Sequence, residues 1–573
     1  MILEERIIPY LYPKNSPVKK ALLLFLLVIT GFNSYSQQFV GKKWDARFGG
    51  TNFEQMTTVL QTPDGGYILG GQSQSTVSGN KTQPNWDVSL VTADYWIVKI
   101  DANGNYQWDK RYGGIGMEYF SWICTAIDGG YIIGGTTASD SGCDISQPTW
   151  GGYDYWIVKL DSLGNKQWDK RYGGSGADFL SKVKQTKDGG YIVAGSSNSG
   201  ISGDKTQPNW DTTLSTDDYW IVKIDNAGNK QWDKRFGSTD GDGCNDIIQT
   251  PDGGYLIGGT SIAYDTSGDK TQFNFGYPYP TDNFWVVKTD SLGNKQWDKV
   301  FGGSEGEGLG NTLNTTDGNY LLGGQSYDGI SGNKTAPLCG YWLVKIDTLG
   351  NKLGDWSYGS TNNGTGSGGC IEGFESMSVT TDGGYLLTGV GGPDTGGDKT
   401  SSSLANGENV WTIKIDSQMN RVWDRTSRTT GTYDNAAGAI ENSAGCYMVG
   451  VMTAAGIGGD KTQPAWDSTY DYWIVEFCDS FPLGIQQPEG AMHLLVYPNP
   501  TSSDLYINIQ KDNLTSASFT LTNTTGQTIY QSTADHLAHS YTKILDLSKL
   551  PAGVYMLDVV VDGERIVKKV LKE

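Results

Sequence analysis

Apolar and polar positions along this chain come in short alternating runs bounded by turn residues, with no sustained helical period. One stretch shows the pattern clearly. Phe179 to Thr186 is a first run, closed by Lys187-Asp188-Gly189-Gly190. Tyr191 to Gly195 is a second, a long polar segment leads to a third from Tyr219 to Asp225, and Asn226-Ala227-Gly228-Asn229 turns into a fourth from Lys230 to Gly237. β-branched and aromatic residues fill these runs, and Asp-Gly-Gly supplies the positive φ of a tight hairpin, so the pattern predicts four antiparallel strands.

This unit recurs. Its Asp-Gly-Gly-Tyr turn places Tyr at 67, 131, 191, 255, 320, 385 and, with the turn decayed to Ala444-Gly445-Cys446, at 447. Tyr95-Trp96-Ile97-Val98-Lys99 is echoed by Trp156, Trp220, Trp285, Trp342, Trp411 and Trp473, and Trp44 of WDARFGG by Trp108, Trp168, Trp232, Trp297, Trp356 and Trp423. Repeats of about 62 residues with four short strands have the size of a propeller blade, so the sequence predicts an all-β, seven-bladed β-propeller over 38–478. The Trp44 strand stands alone before the first repeat and the last repeat lacks its Trp strand. Residues 41–48 are therefore expected to close the seventh blade beside 472–477, which removes two exposed edges. The repeat loosely resembles kelch propellers in its apolar run, Gly pair, Tyr and Trp (Ile132-Ile133-Gly134-Gly135, Tyr155-Trp156, Trp168), though the spacing from Gly pair to Tyr departs from kelch. That resemblance implies a fold only.

Composition narrows the chemistry. Among 573 residues, 43 Lys and Arg against 63 Asp and Glu give a net charge of −20, which argues against nucleic acid and anionic membrane as partners. Histidine occurs only at 493, 536 and 539, so the repeats hold no Ser-His-Asp unit and no His-ligated zinc. Seven Cys without a CxxC pair make zinc and iron–sulfur readings weak, and their odd count leaves at least one thiol unpaired or bonded between chains. Lys19-Lys20, the apolar run 21–30 and the small residues Ser34 and Ser36 read as a signal peptide over 1–36. No later segment has the length to cross a bilayer as a helix.

Strand parity puts the Asp-Gly-Gly and Gly-Asn turns on one face and the inter-blade crossings and long loops on the other, where function more often sits. An acid precedes each repeat Tyr by 13 positions: Glu54, Glu118, Asp178, Asp242, Glu307, Glu372 and Asp434. Two readings stand. Each acid accepts hydrogen bonds from backbone N–H groups in its crossing, or the seven form a negative ring binding Ca²⁺ or a cationic ligand. The stretch from Asp240 to Asp246 resembles a calcium loop faintly and lacks its Glu. No other cofactor is implied. The long loops share Ser-Gly-Asp/Asn-Lys-Thr, as at 78–82 and 202–206, where the Lys is expected to pair with the acid. They also hold Trp86, Trp150, Trp210, Phe275 and Trp466, read either as platforms for sugar rings or as plugs at the blade ends.

After a polar linker over 479–492, the residues from 493 to 573 read as six or seven short strands of a small sandwich. They resemble the C-terminal sorting domain of the type IX secretion system. The resemblance rests on Tyr497-Pro498-Asn499-Pro500, on Gly553 and Tyr555 within Leu550-Pro551-Ala552-Gly553-Val554-Tyr555, and on the basic end at Lys568-Lys569. It implies a Gram-negative bacterium, recognition by the type IX machinery, and a product released or attached at the outer surface. For the propeller three readings are open: a non-enzymatic scaffold binding glycan or surface protein, an extracellular carbohydrate-active enzyme using paired carboxylates, and a structural adhesin or spacer. No residue is assigned a catalytic role, because the repeat acids recur evenly, where a catalytic pair would break the repeat.

Overall fold

The computed structural model describes residues 40–276, 281–359, 370, 372–393, 395–404, 407–479, 493–497, 501, 503–511, 514–523, 525–535, 537 and 540–572. The signal-peptide reading and nearly all of the linker lie outside them. The chain divides into two compact units, Met1–Phe481 and Pro482–Glu573.

The first unit is a seven-bladed β-propeller, and each blade is a four-stranded antiparallel sheet. Blade three has strands Asp178–Gln185, Tyr191–Ser197, Asp218–Ile224 and Lys230–Phe236, within one or two residues of the runs read from sequence. The hairpin turns follow from local chemistry. In blade one Gly65 holds φ at +81°, and Asp64 accepts from Gly66 N at 3.0 Å and from Thr62 Oγ1 at 2.5 Å. Lys99, from the third strand, adds an ion pair to Asp64 at 2.9 Å. Blade seven loses this pair at both ends, with Ala444 for the Asp and Glu476 for the Lys. Glu476 instead binds Asn442 Nδ2 at 2.6 Å and Lys43 at 2.9 Å.

The blades form a closed ring. Each first strand packs against the next, and the first strand of blade seven (Asn435–Glu441) packs against that of blade one (Glu54–Gln61). Aromatic pairs join neighbours through the fully buried third-strand Trp residues. Ring centroids lie 4.9 Å apart for Tyr95–Trp156, Tyr155–Trp220 and Tyr219–Trp285, and 4.9 Å again for Tyr472–Trp96 across the closure. Blade seven takes its fourth strand from the opposite end of the chain: Val40–Phe48 runs antiparallel to Asp471–Asp479. In all seven blades the buried Trp donates its indole N–H to the Asp of the fourth strand, as in Trp96–Asp109 at 2.8 Å and Trp473–Asp45 at 3.0 Å. Disulfides join Cys339 to Cys370 and Cys446 to Cys478, while Cys124, Cys143 and Cys244 are free.

The second unit is a β-sandwich. One sheet orders His493–Tyr497, Asp504–Gln510 and Ser540–Asp546; the other orders Thr528–Asp535, Ser516–Asn523, Gly553–Val561 and Glu564–Lys572. Alternate residues Leu505, Ile507, Ile509, Phe519, Leu521, Leu557 and Val559 fill the space between them. Tyr555 is buried and donates to Pro551 O at 2.9 Å. Lys568 and Lys569 sit on the last strand, opposite Leu557 and Met556. Tyr497 pairs with Tyr506, and Pro498, Asn499 and Pro500 lie outside the described residues.

Candidate functional site on the long-loop face

All seven repeat acids are buried, at most 3% exposed; five open their blade's first strand, and Glu372 and Asp434 directly precede theirs. Their partners are local. Glu54 accepts from Gly50 N at 2.8 Å, Ser73 Oγ at 2.7 Å and Ser75 Oγ at 2.6 Å; Glu118 accepts from Gly114 N, Thr137 Oγ1 and Ser139 Oγ in the same way. Asp178 and Asp242 accept from Gly174 N and Ser238 N. Glu307 accepts from Gly303 N at 2.8 Å, and Asp434 from Thr429 Oγ1 at 2.6 Å. Glu372 opens the sixth blade and is equally buried.

At six of the seven junctions a second side chain meets the acid from the preceding blade, and Gly340 leaves the seventh without one. The position is the first residue of the third strand: Asp94, Asp154, Asp218, Asn283, Gly340, Asn409 and Asp471. Where it is Asn, the amide donates to the acid: Asn283 Nδ2 to Glu307 Oε2 at 2.9 Å, and Asn409 Nδ2 to Asp434 Oδ2 at 2.8 Å. Where it is Asp, Oδ1 occupies the place of that Nδ2. A Cβ on Gly302 would meet Asn283 Nδ2 at 2.4 Å and Glu307 Oε2 at 2.7 Å, and one on Gly113 would meet Asp94 Oδ1 at 2.3 Å and Glu118 Oε2 at 2.8 Å. The Oδ1 atoms of Asp94, Asp154, Asp218 and Asp471 are all buried without a hydrogen-bond donor. Two carboxyl oxygens thus face each other at four junctions, and one proton between them satisfies both.

Burial drives both carboxyls upward, and their mutual repulsion adds to it. Glu118 is pushed up to about 8, Asp242 and Asp471 to about 7, and Asp154 and Asp218 to about 6. An Arg accompanies each of the four Asp residues, from the fourth strand or the closing strand: Arg111, Arg171, Arg235 and Arg47. Nε lies 3.6 Å from the Asp carboxylate in the first three. Blades with Asn or Gly at the first position have Val300, Ser357 or Thr426 there instead. The repeat therefore varies as a unit, cation and second acid arriving together.

The loop aromatics lie over the next junction. Trp86 Nε1 donates to Asp144 at 2.9 Å with the Arg111 guanidinium 4.3 Å from its ring, and Trp210 repeats this with Asp269 at 2.9 Å and Arg235 at 4.6 Å. Trp466 pairs with Asn80 at 3.3 Å under Arg47 at 4.1 Å. Trp150 and Phe275 press on Gly203 and Gly332 of the following blade, where a Cβ would come within 2.9 Å of either ring. One side of each indole is covered; Trp86, Trp150, Trp210 and Trp466 remain 40–54% exposed.

The Lys of Ser-Gly-Asp-Lys-Thr does not pair with the acid. Lys81 is buried and donates to Gln83 O at 2.8 Å, and Lys270, Lys399 and Lys461 likewise donate to backbone carbonyls two residues on. A buried ammonium gains more from several close carbonyl dipoles than from one distant charge, and burial lowers Lys81, Lys270 and Lys461 to about 8. Blade two has Ile145 in this place, buried against the same core. The Thr that follows caps the Trp–Asp contact: Thr82 N and Oγ1 donate to Asp109 at 3.0 and 2.6 Å.

One region departs from the repeat. A cavity of about 600 Å³ opens on the long-loop face between blades three, four and five, lined among others by Asp217, Asp282, Asn245, Gln325, Tyr327 and Ile262. Asp217 and Asp282 precede the third strand, where other blades carry Ala93, Tyr153, Cys339, Glu408 or Tyr470. Burial raises both carboxyls, with Lys205 opposing the effect at Asp217. Gln325 Nε2 donates to Tyr327 Oη at 2.9 Å, which fixes the ring at the cavity edge. Sequence reasoning missed this pair; the signal was there, an acid two residues before Tyr219 and Phe284, a position that is acidic in one other blade only, as Glu408.

Solved propellers show weak likeness. A structure titled as a putative gluconolactonase shares 11% identity over 63% of this chain and 90% of its own, with a TM-score of 0.29. A mutant of the apocarotenoid oxygenase of Synechocystis shares 11% over 89% of this chain and 98% of its own, with a TM-score of 0.34. The regulatory protein FlaEY of Caulobacter vibrioides is 25% identical over 116 residues, 20% of this chain, and the match spans only 12% of FlaEY. At the other end the match is to a family: residues 495–573 are a secretion system C-terminal sorting domain, the domain that commits its chain to export by the type IX system.

Proposed function

We propose that this protein is a binding scaffold displayed at or released from the outer bacterial surface, whose propeller takes a polar ligand, glycan or protein, at the cavity between blades three and five. One observation carries the reading: the repeat acids and loop aromatics are engaged in joining blades, while Asp217, Asp282 and Tyr327 break the repeat and face an open cavity. Aromatic edges beside carboxylates and amides suit hydroxyl-rich ligands, since each polar group offers a directional hydrogen bond and the ring an apolar face. In this reading the seven buried carboxylates hold blades together and bind no calcium, and the loop aromatics seal junctions.

The same cavity favours one alternative. Two carboxyls in one cavity are the minimum a glycosidase needs, one kept protonated as general acid, which burial favours here, and the other ionised as base or nucleophile. A glycan array on the exported protein, followed by a hydrolysis assay on every hit, decides between them. Binding that Asp217→Asn and Tyr327→Ala abolish, without turnover, supports the scaffold. Turnover lost in Asp217→Asn or Asp282→Asn overturns it in favour of the enzyme. Absence of any hit overturns glycan recognition and leaves a protein ligand or a spacer.

A further inference from the structure

The channel wall is less regular than the rim. Every first strand carries a one-residue bulge, and in blades two, three and four a donor at that position reaches the next blade, whereas Thr57 bonds Gly70 O of its own blade and Gly310 and Ala437 have no side-chain donor. Ser121 Oγ donates to Leu180 O at 2.6 Å, Ser181 Oγ to Cys244 O at 2.7 Å, and Asn245 Nδ2 to Leu309 O at 2.6 Å. Blade six has Glu375 at its bulge. A carboxylate accepts and does not donate, so it cannot continue the ladder, and its side chain is open to the channel.

The residue after the bulge varies too, and ties blade to blade in blades four and five, where Asp246 accepts from Thr312 N at 2.8 Å and Asn311 Oδ1 from Met377 N at 2.9 Å. Blade three has Lys182, which has nothing to accept with, and its ammonium stands 3.5 Å from the centroid of the Trp122 ring. Lys182 and Glu375 line one cavity of about 310 Å³, kept open on the blade-five side by Gly308 and Gly310. Among the described residues neither makes a hydrogen bond or an ion pair. The other nearby charges, Lys184 and Asp246, neutralise each other at 2.5 Å.

We propose that this cavity binds a small zwitterion, a free amino acid or a dipeptide, its carboxylate on Lys182 and its ammonium on Glu375. Lys182 is half-buried and Glu375 exposed, neither has an ion-pair partner among the described residues, and a ligand carrying the opposite charge at either end pairs with both at once. Leu309 and Phe374 supply an apolar wall, and Ser181, Asn245 and Gln325 supply neutral polar groups around the cavity. The site shares Asn245, Gly308 and Gln325 with the rim cavity but rests on Lys182 and Glu375, which do not line that cavity.

Calorimetric titration of the full chain with glycine, alanine, leucine and glycylglycine, alongside N-acetylglycine and glycinamide, tests this. The free zwitterions are expected to bind, and blocking either end to weaken binding about tenfold or more, the scale of one lost charge-assisted hydrogen bond. Lys182→Met removes the preference for a free carboxylate, and Glu375→Gln the preference for a free amine. Lys182→Arg and Glu375→Asp keep both, which separates lost contact from lost fold. No binding of any of these compounds at millimolar concentration overturns the proposal, as does binding indifferent to both charge-removing variants in protein that melts like the wild type.

Discussion

Trp473 Nε1 donates to Asp45 Oδ2 at 3.0 Å across 428 residues of sequence, repeating between the two ends of the propeller the contact that each other blade makes within itself. Asp45 also accepts from Thr462 N at 2.9 Å and Thr462 Oγ1 at 2.8 Å. The closure therefore has the same bonds as an ordinary blade. Asp45→Ala leaves a buried indole N–H and a loop amide unsatisfied, with an expected loss of about 2–4 kcal/mol. Asp233→Ala, its counterpart in blade three, is expected to cost a similar amount. Urea unfolding of the two variants checks this, and an unaltered midpoint for Asp45→Ala refutes a sealed ring.

The paired carboxyls make stability depend on pH. Their folded proton affinities are raised above those of the unfolded chain, so their contribution is complete below about pH 4 and declines as pH rises through 6 to 8. The buried Lys residues act oppositely and only above about pH 8. Asn283 shows what an uncharged partner does at the same position. Asp218→Asn, which leaves Arg235 its ion pair with Asp269, is expected to stabilise the protein by about 1 kcal/mol at pH 8, one shifted proton, and to flatten the profile between pH 5 and 8. Melting temperatures across that range supply the test.

Blade two offers a natural control for the buried lysines. Ile145 fills the place that Lys81 takes in blade one. Lys81→Ile is expected to change stability by less than about 1 kcal/mol, because the apolar chain removes both the ammonium and its desolvation. Lys81→Ala leaves a void and the Gln83 carbonyl without its donor, and should cost about 2 kcal/mol. A denaturation curve in which the Ile variant falls as far as the Ala variant would mean that the ammonium itself holds the loop.

Glycines of like conformation should respond differently. Gly65 has φ +81° and nothing within 4 Å of an added Cβ, so Gly65→Ala costs only backbone strain of about 1 kcal/mol. Gly268 has φ +59°, and its Cβ would come 2.3 Å from Gly237 O and 2.6 Å from the Trp210 ring. Gly268→Ala should cost at least twice as much, and pairing it with Trp210→Ala recovers only the aromatic part, since Gly237 O is backbone. Trp210→Ala alone lowers the melt if the indole seals the junction; a glycan hit lost at unchanged melt would assign it to sugar binding instead.

Period, strand number and turn type were legible in the sequence because they rest on contacts between near neighbours: Asp64 to Gly66, or Tyr67 to Leu69 as one strand. The Trp loops were ambiguous because Trp86 meets Asp144, one blade on, and only the ring brings them together. The evenly spaced acids were visible as a series, but Asp94 beside Glu118 is a contact between adjacent blades, and the company Arg111 keeps with it shows only when the seven copies are compared position by position. Lys182 and Glu375 were illegible for the same reason in stronger form: they stand on different blades and share a cavity only once the wheel has closed.

Because Val40–Phe48 completes the last blade, the earliest strand to be synthesised is the last to gain a neighbour. Until Asp471–Asp479 has emerged, it has no edge to join, and six finished blades wait as an open arc with sticky ends. Maturation of the wheel is thus tied to delivery of nearly the whole chain. A ribosome or translocon that stalls short of Tyr472 yields a product that self-associates through those ends, rather than one that is merely shorter.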